Sequence, residues 1–286
     1  MRTRDPDEKV ERLNRRARER GVSVALYRAM RGLVGPPMRL WFRLGVDGIE
    51  NVPAEGPAII APNHKSFFDS FFIAIAVPRP VRYMAKVELF PGPAGRLFAR
   101  LGAFPVRRGE GDVEAMRTAL TILEQGGIVV VFPEGTRVEE RDALGSPRHG
   151  AGRLALESGA PIIPSAIAGT ERLWLGPLAK PRRVRVAFLP AIDPAELAEH
   201  PDAVVELIDN RVWPAVQREY GRQLARPGII LTALTAAGLG AGLAARRRAR
   251  AQTRILGVVA PGNVRRRAAR ARRLSRLRGI AGRRRR

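Results

Sequence analysis

The segment Ala58-Ile-Ile-Ala-Pro-Asn-His-Lys-Ser-Phe-Phe-Asp69 joins a short apolar run to a polar turn and then to a second apolar run. The first run has the length and composition of a buried strand, whereas residues 67–77 have those of a helix, with Ser66 as the predicted N-cap. His64 therefore follows a strand end, and Asp69 falls in the first helical turn. Five positions on a continuous helix would turn the two side chains apart, so they can meet only through the intervening turn.

The spacing of His64 and Asp69 suits a base and the group that orients it. An unperturbed histidine has a pKa of about 6.5, and a carboxylate on one ring nitrogen fixes the tautomer and stabilises the imidazolium. The chain has no cysteine and no evident serine nucleophile motif, which favours activation of a substrate hydroxyl over a covalent intermediate. The alternative is a His-Asp helix cap without a catalytic role.

A second element, Ile128-Val-Val-Val-Phe-Pro-Glu-Gly-Thr-Arg137, is an apolar run that stops at a proline and turns through Gly135. A buried strand would thus deliver Glu134, Thr136 and Arg137 together at its end. The planar guanidinium of Arg137 suits a phosphate, and Glu134 can orient a hydroxyl or an arginine. Taken alone, the pattern also fits an ordinary strand exit with a surface ion pair.

Short apolar runs alternate with helical stretches between residues 57 and 214, which predicts an α/β fold with a mixed β-sheet flanked by helices. In such a fold the active site gathers at strand ends. The predicted strands are residues 58–61, 82–85, 128–132, 162–168 and 184–189, and the predicted helices are residues 67–77, 113–125 and 150–158.

Residues 46–220 are predicted to form one catalytic domain, preceded by charged and amphipathic N-terminal helices in residues 1–45. Within residues 22–46 we expect two short helices, broken at Gly35-Pro36-Pro37. Both packing on the core and contact with a membrane interface fit this segment, since Trp and Arg side chains suit a headgroup boundary. The first twenty residues lack the apolar region of a secretory signal, so we expect the domain on the cytoplasmic face of the cell membrane.

Residues 228–245 carry no charge and are bounded by arginines, which makes them a candidate membrane-embedded helix. A spanning helix needs about 20 apolar residues, so a buried or re-entrant helix is the alternative. Residues 246–286 form an Arg-rich tail that we expect to be disordered and to bind anionic phospholipid.

The net charge of +24 invites comparison with nucleic-acid-binding proteins, but its distribution argues against that class. Residues 221–286 hold 19 Arg and no Lys, Asp or Glu, which leaves a net charge of +5 on residues 1–220. The basic residues thus lie beyond the apolar run and are not interleaved with aromatic ones. Membrane lipid is therefore the favoured partner of the tail, and nucleic acid is disfavoured.

Asn63-His64 with Asp69, followed by Phe132-Pro-Glu-Gly-Thr-Arg137, resembles the glycerolipid acyltransferases typified by 1-acylglycerol-3-phosphate acyltransferase. The resemblance covers about residues 46–189 and fades on both sides. It implies that His64 and Asp69 deprotonate the acceptor hydroxyl for attack on an acyl thioester. It also implies that the second motif helps to bind glycerol phosphate through Glu134, Gly135, Thr136 and Arg137.

Two weaker blocks extend the resemblance. Gly102-Ala-Phe-Pro-Val-Arg-Arg108 resembles a family motif whose closing arginine contacts phosphate, which implies this role for Arg108, although a solvated loop charge is the alternative. Pro161-Ile-Ile-Pro164 resembles an apolar strand that lines the family's site. Pro147 departs from the family, which often carries Phe there, and His149 beside it is interpreted as a loop residue.

The resemblance implies transfer of a fatty-acyl group from acyl-CoA or acyl carrier protein to 1-acylglycerol 3-phosphate, giving phosphatidic acid in phospholipid biosynthesis. A different lysolipid or glycerol 3-phosphate is the alternative acceptor, and a noncatalytic membrane or nucleic-acid-binding protein is the alternative of another class. We expect no cofactor beyond the acyl donor, and no metal, because the three histidines are unclustered and thiolates are absent. Lys65 and the backbone amides near Ser66 are candidate oxyanion donors.

Overall fold

The protein is represented by a computed structural model that describes residues 6–107, 112–171, 173–175, 178–197 and 199–225. Its strands are β1 (Gly45–Asp47), β2 (Ala58–Pro62), β3 (Val81–Lys86), β4 (Ala103–Val106), β5 (Ile128–Val130), β6 (Ile162–Ala168), β7 (Trp174–Leu175), β8 (Leu178–Ala179) and β9 (Arg185–Phe188). Its α-helices are α1 (Pro6–Arg20), α2 (Val24–Trp41), α3 (Asp69–Ala76), α4 (Gly92–Arg100), α5 (Val113–Glu124), α6 (Gly150–Ser158), α7 (Ala203–Val205) and α8 (Trp213–Ala225). Three 3₁₀ turns (Ile49–Asn51, Val87–Leu89, Pro194–Leu197) and a π-helical segment (Glu206–Val212) complete the described elements.

Seven strands form a single mixed sheet in the order β1-β9-β6-β2-β5-β3-β4, and β7 pairs with β8 in a separate ribbon. All pairings within the large sheet are parallel except β6 with β9, which are antiparallel. The predicted mixed α/β sheet is therefore confirmed. The third predicted strand ends at residue 130 rather than 132, and the short edge strands β1 and β4 were not predicted.

Helices cover both faces of the sheet. The residues of its central strands alternate between two cores, because successive side chains point to opposite faces. Ile59 belongs to a core shared with α1, α5, α6 and α8, whereas Ile60 belongs to a core shared with α2 and α3. Strand β2 is fully buried along its length, as expected for a central parallel strand covered on both faces. The sheet thus provides a rigid platform whose strand ends position the polar loops.

The expected break in the second N-terminal segment is wrong: α2 continues through Gly35-Pro36-Pro37. A proline inside a helix removes one hydrogen bond and crowds the preceding turn, so other contacts must hold this helix together. Arg31 and Arg39 supply them by donating to carbonyl groups at and just beyond the end of α3, at 2.7 and 2.6 Å. The chain breaks instead between α1 and α2, where Gly21 has a φ of +59°.

The carboxyl ends of β2, β5, β3 and β4 meet at one edge of the sheet because these strands are parallel. The turn after β2 and the loop after β5 therefore lie side by side at this edge. Helix α3 begins at Asp69 rather than at residue 67, with Phe68 as its N-cap residue, so Ser66 is not the cap that the sequence predicted. The residues just before Asp69 lie outside the helix, where they form the turn that folds around the Asp69 carboxylate.

Several predictions concern parts of the chain outside the described residues. These are the candidate membrane helix at residues 228–245, the Arg-rich tail at residues 246–286, and Arg108. Among the helices that the structure does describe, none combines the length and the apolar composition needed to cross a bilayer.

Candidate active site

His64 and Asp69 form a buried pair at the carboxyl end of β2. The Nδ1 atom of His64 lies 2.9 Å from Oδ2 of Asp69, and the two residues are 6% and 0% exposed. The same carboxylate oxygen accepts the backbone N–H groups of Lys65 and Ser66, both at 2.7 Å. Three donors thus converge on one oxygen, so the turn between the two residues is folded around the carboxylate. This arrangement places the proton of a neutral imidazole on Nδ1 and leaves Nε2 as the basic nitrogen.

The loop that follows β5 holds His64 from the other side. The Phe132 ring stacks on the imidazole with a centroid separation of 3.9 Å and an interplanar angle of 25°. The main chain of His64 is also fixed, since its N–H donates to Oε2 of Glu134 at 2.5 Å and its carbonyl accepts the N–H of Val138 at 2.9 Å. The two sequence motifs therefore contact each other and hold the His64 side chain in one orientation.

The buried carboxylate of Glu134 joins the turn after β2 to a more distant part of its own loop, which follows β5. Glu134 is 4% exposed, and its Oε1 accepts the N–H of Gly145 at 2.7 Å while Oε2 accepts the N–H of His64. Burial raises the pKa of Glu134, although the two backbone N–H groups and nearby Lys65 partly offset this effect. Both oxygens are engaged by the protein, so the observed contacts position the site, and contact with substrate stays a prediction.

Gly135 makes the turn that brings the Glu-Gly-Thr-Arg segment back over His64. Its φ of +67° is accessible to glycine at little cost, and its N–H donates to the carbonyl of Phe132 at 3.0 Å. A Cβ atom at this position would lie 3.0 Å from the side chain of Arg148. The backbone geometry thus explains why this residue is glycine. Its role in substrate binding stays a prediction.

Thr136 and Arg137 lie at the mouth of a cavity that His64 also lines. Both are exposed, and within the described residues the guanidinium of Arg137 makes no hydrogen bond or ion pair. A free guanidinium beside the base can bind an anionic group of a substrate. Arg107, next to the undescribed Arg108, donates its backbone N–H to Asp112 at 2.8 Å at the end of β4.

The cavity has a volume of about 340 Å³ and runs from the sheet edge at which His64 lies into the space between α2, α3 and α4. Its wall at the catalytic end includes Lys86, the last residue of β3, and its far end includes Tyr27, whose hydroxyl accepts the N–H of Val81 at the start of that strand. Five residue steps of about 3.3 Å give a depth of about 16 Å. The wall between the two ends is apolar and consists largely of Met30, Val34, Phe67, Phe71, Ile75, Met84, Leu89 and Phe98.

Comparison with known proteins agrees with these features. A family model described as "Acyltransferase" matches residues 43–168, which include both motifs and the strands that carry them. Over these residues the chain is similar to the acyltransferase family. The family resemblance stated from the sequence is thereby confirmed.

Relatives of this chain carry consistent names. It is 34% identical over 122 residues to the 1-acyl-sn-glycerol-3-phosphate acyltransferase of Bacillus subtilis, covering 42% of this chain and 60% of the relative. It is 32% identical over 170 residues to the protein of the same name from Pseudomonas aeruginosa, covering 58% of this chain and 64% of the relative. The chain thus spans less than two thirds of the length of these curated relatives.

The fold also matches a solved structure. The crystal structure of the 1-acyl-sn-glycerophosphate (LPA) acyltransferase PlsC from Thermotoga maritima superposes with a TM-score of 0.60 at 24% identity, covering 79% of this chain and 86% of that one. At this identity the likeness establishes the fold of this chain and no more.

Three of the expected oxyanion donors, the Nζ atom of Lys65 and the backbone N–H groups of Lys65 and Ser66, already have partners in this chain. The Nζ atom of Lys65 donates to the carbonyls of Glu140 and Ala143 and lies 5.1 Å from the ring centroid of Tyr220, so it anchors a loop. The backbone N–H groups of Lys65 and Ser66 are used by Asp69. Burial lowers the pKa of Lys65, although the nearby carboxylates of Glu134 and others oppose this shift.

Sequence reasoning missed most of the cavity. Its floor comes from α2 and one wall from α4, and neither helix was assigned to the site. The aromatic pair Phe67 and Phe71, four residues apart, was a visible signal, but such spacing is equally typical of an ordinary core. His149 also forms an unpredicted pair with Asp209 at 2.9 Å, and these half-exposed residues do not line the cavity.

Proposed function

We propose that this acyltransferase transfers a fatty-acyl group from a thioester donor to the free hydroxyl of 1-acylglycerol 3-phosphate, producing phosphatidic acid for phospholipid biosynthesis. The observation that carries the proposal is the position of the buried His64–Asp69 pair at the polar mouth of a deep apolar cavity. A base, an anion-binding cation and an apolar channel are the three features that this reaction requires.

His64 acts as the general base of the proposed reaction. Its Nε2 accepts the proton of the acceptor hydroxyl while Nδ1–H stays hydrogen-bonded to Asp69. The hydroxyl oxygen attacks the thioester carbonyl carbon and forms a tetrahedral oxyanion. When this intermediate collapses, the carbon–sulfur bond breaks, and the departing thiolate takes the proton back from Nε2.

The backbone N–H groups of Thr136 and Arg137 are the proposed donors to the oxyanion. Neither has a hydrogen-bond partner within the described residues, and both residues lie at the cavity mouth with His64. Pre-oriented amides stabilise charge that develops in a transition state. The side chain of Arg137 would at the same time bind the phosphate of the acceptor, together with the predicted Arg108.

The apolar cavity is the proposed site of the fatty-acyl chain. Its depth and its lining of methionine, valine and aromatic side chains suit a hydrocarbon chain that would otherwise remain in lipid. The chain would enter with its thioester carbonyl next to His64. No cofactor is needed besides the acyl donor, which can be acyl-CoA or an acyl carrier protein.

We propose that the protein works at the cytoplasmic face of the cell membrane. Leu33, Leu40 and Trp41 on α2 are 74%, 82% and 53% exposed, and α2 also forms the far end of the cavity. Large apolar side chains on an amphipathic helix favour the boundary between headgroups and acyl chains. Membrane lipids, including anionic phospholipid, are thus proposed partners.

The test is transfer of a labelled palmitoyl group from palmitoyl-CoA or palmitoyl acyl carrier protein to 1-acylglycerol 3-phosphate by the protein in membranes. His64→Ala is expected to abolish transfer while the domain stays folded. His149→Ala is the matched control, because it removes the other hydrogen-bonded His-Asp pair, which lies outside the cavity.

Wild-type turnover by His64→Ala would refute the mechanism. Transfer to a different lysolipid or to glycerol 3-phosphate alone would keep the mechanism and change the acceptor. A folded wild-type protein that transfers to no acceptor in the panel would refute the proposed activity.

A further inference from the structure

A second concave site lies between α1 and α4. It is a groove of about 490 Å³, and Phe90, Gly92 and Arg96 form the wall that belongs to α4 and the residues before it. The opposite wall is the basic face of α1. The six cations that line this basic groove are Lys9, Arg12, Arg15, Arg16, Arg20 and Arg96, and its single acidic residue is Glu19.

These six cations have no role in holding together the part of the chain that the structure describes. Within the described residues none of them makes a side-chain hydrogen bond or an ion pair, whereas neighbouring Arg18 on the same helix binds Glu114 at 3.0 Å and Thr118 at 2.8 Å. The Nε atom of Arg16 is moreover buried without a partner. Buried donors are normally satisfied, so this orphan nitrogen and the surrounding positive charge indicate that the groove accommodates an anion.

The direction of α1 places one end of the groove at the catalytic edge of the sheet. Asn14 donates to the carbonyl of Pro105 in β4 at 3.4 Å, and the carbonyl of Ala17 accepts Arg82, which also binds the carbonyl of Gly102 at the start of that strand. Helix α1 therefore runs opposite to β4. Its first turns lie towards the carboxyl end of β4, the same edge at which His64 lies.

The groove and the acyl cavity share a wall. Leu89 lines the cavity and Phe90 lines the groove, and successive residues have Cα atoms about 3.8 Å apart. On α4, in the same way, Phe98 faces the cavity and Arg96 faces the groove. A single ligand with an apolar end and a highly charged end can therefore cross this wall at the catalytic edge.

We infer that the basic groove binds the phosphorylated nucleotide end of a coenzyme A thioester, while the acyl chain of the same molecule occupies the cavity. The inference rests on the proposed function, because it assigns the donor of that reaction. The diphosphate and 3′-phosphate of coenzyme A match a site lined by six unpaired cations. Leu13 on the α1 wall and Phe90 on the α4 wall add apolar surface that suits the adenine ring.

The shape of the groove favours a nucleotide over larger anionic partners. A concave site of this size lies within the range of about 300–1,000 Å³ typical of small-molecule sites. A bilayer surface is flat, and the exposed apolar residues that suit it, Leu33 and Leu40, belong to α2 rather than to either wall of the groove. An acidic carrier protein would present a convex surface much broader than the groove.

The test compares two donors that differ only in the nucleotide, palmitoyl-CoA and palmitoyl-pantetheine. Arg12→Gln/Arg96→Gln removes one exposed cation from each wall. This variant is expected to raise KM for palmitoyl-CoA by about tenfold or more, because each lost charged contact weakens binding. Neither kcat nor the KM for palmitoyl-pantetheine should change. The matched control is Arg153→Gln/Arg218→Gln, which removes two exposed and unpaired cations outside the groove.

Equilibrium binding of coenzyme A itself, followed by calorimetry on the full chain, separates this inference from the proposed function. If the wild type binds coenzyme A about tenfold more tightly than Arg12→Gln/Arg96→Gln but transfers no acyl group, the groove assignment holds and the proposed activity fails. If the wild type transfers acyl groups but the variant matches its control in both measurements, the groove assignment is wrong and the activity holds.

Two further outcomes would overturn the inference in favour of another partner. One is a selective loss of transfer from palmitoyl acyl carrier protein with palmitoyl-CoA unaffected, which would make the groove a protein-docking surface. The other is weaker sedimentation with vesicles containing phosphatidylglycerol and an unchanged KM for palmitoyl-CoA, which would make it a lipid contact.

Discussion

Asp69→Asn is the most informative single substitution, because the structure determines how the new side chain must orient. Oδ2 of Asp69 accepts three hydrogen bonds, from His64 Nδ1 and from the N–H groups of Lys65 and Ser66. Oδ1 is buried and has no hydrogen-bond partner in the described part of the chain. The asparagine carbonyl must therefore occupy the position of Oδ2, since an NH₂ group there would face three donors.

The magnitude follows from this orientation. The asparagine oxygen still accepts Nδ1–H, so the reactive tautomer of His64 is kept and only the negative charge that stabilises the imidazolium is lost. Hydrogen bonds contribute about 1.5–3 kcal/mol when one partner is charged and about 0.5–1.5 kcal/mol when both are neutral, a difference of about 1–2 kcal/mol. At about 1.4 kcal/mol per factor of ten, kcat should fall about 5- to 30-fold.

The same substitution should also destabilise the fold. The new NH₂ group takes the place of the buried Oδ1, which makes no hydrogen bond within the described residues, and a buried donor left without a partner costs about 1–3 kcal/mol in the free energy of unfolding. Release of free thiol from palmitoyl-CoA at saturating acceptor measures kcat, and urea denaturation measures stability. Asp209→Asn, in the half-exposed pair outside the cavity, is the control and should leave kcat unchanged.

Two results would refute this reasoning. A loss of about 10⁴-fold in kcat, as when the orienting group holds the wrong tautomer, would mean that Oδ2 does not fix His64 as the structure shows. An unchanged kcat in Asp69→Asn would mean that the reaction does not use the carboxylate charge.

Three further substitutions test other parts of the site. Arg137→Ala should raise KM for 1-acylglycerol 3-phosphate by about 10- to 100-fold with little change in kcat, because a charged phosphate contact is lost; a fall in kcat alone would contradict this assignment. Met30→Trp fills the far end of the cavity and should lower kcat/KM for palmitoyl-CoA relative to lauroyl-CoA, and an unchanged ratio would place the acyl chain elsewhere. Glu134 has a raised pKa, so the native state holds the Glu134 proton more tightly than the unfolded chain does. The contribution of this proton to stability is therefore greatest below the unfolded pKa and is lost as the pH rises through the folded pKa. The free energy of unfolding of wild type minus that of Glu134→Gln should therefore decrease with pH across this window, and a difference that is flat or rises would refute the assigned direction.

The sequence by itself determined the central sheet and the meeting of His64 with Asp69. Continuous apolar runs of strand length, such as residues 162–168, correspond to buried strands because local composition and length suffice to define them. His64 and Asp69 were also identified, because both lie within one turn of the chain and their meeting depends on five residues of local geometry. Contact of the N-terminal helices and of residues 228–286 with a membrane stays a prediction, as does the identity of the acceptor lipid.

Contacts between distant parts of the chain decided the rest. Glu134 lies seventy positions from His64, and only the parallel pairing of β2 with β5 makes it a bracket for the His64 backbone. Helix α2 continues through its two prolines because arginine contacts with the end of α3 compensate for the lost helical bonds, which no local rule could anticipate. The acyl cavity and the basic groove likewise exist only where helices remote in sequence enclose space, since a concave surface is a property of packing and not of any single segment.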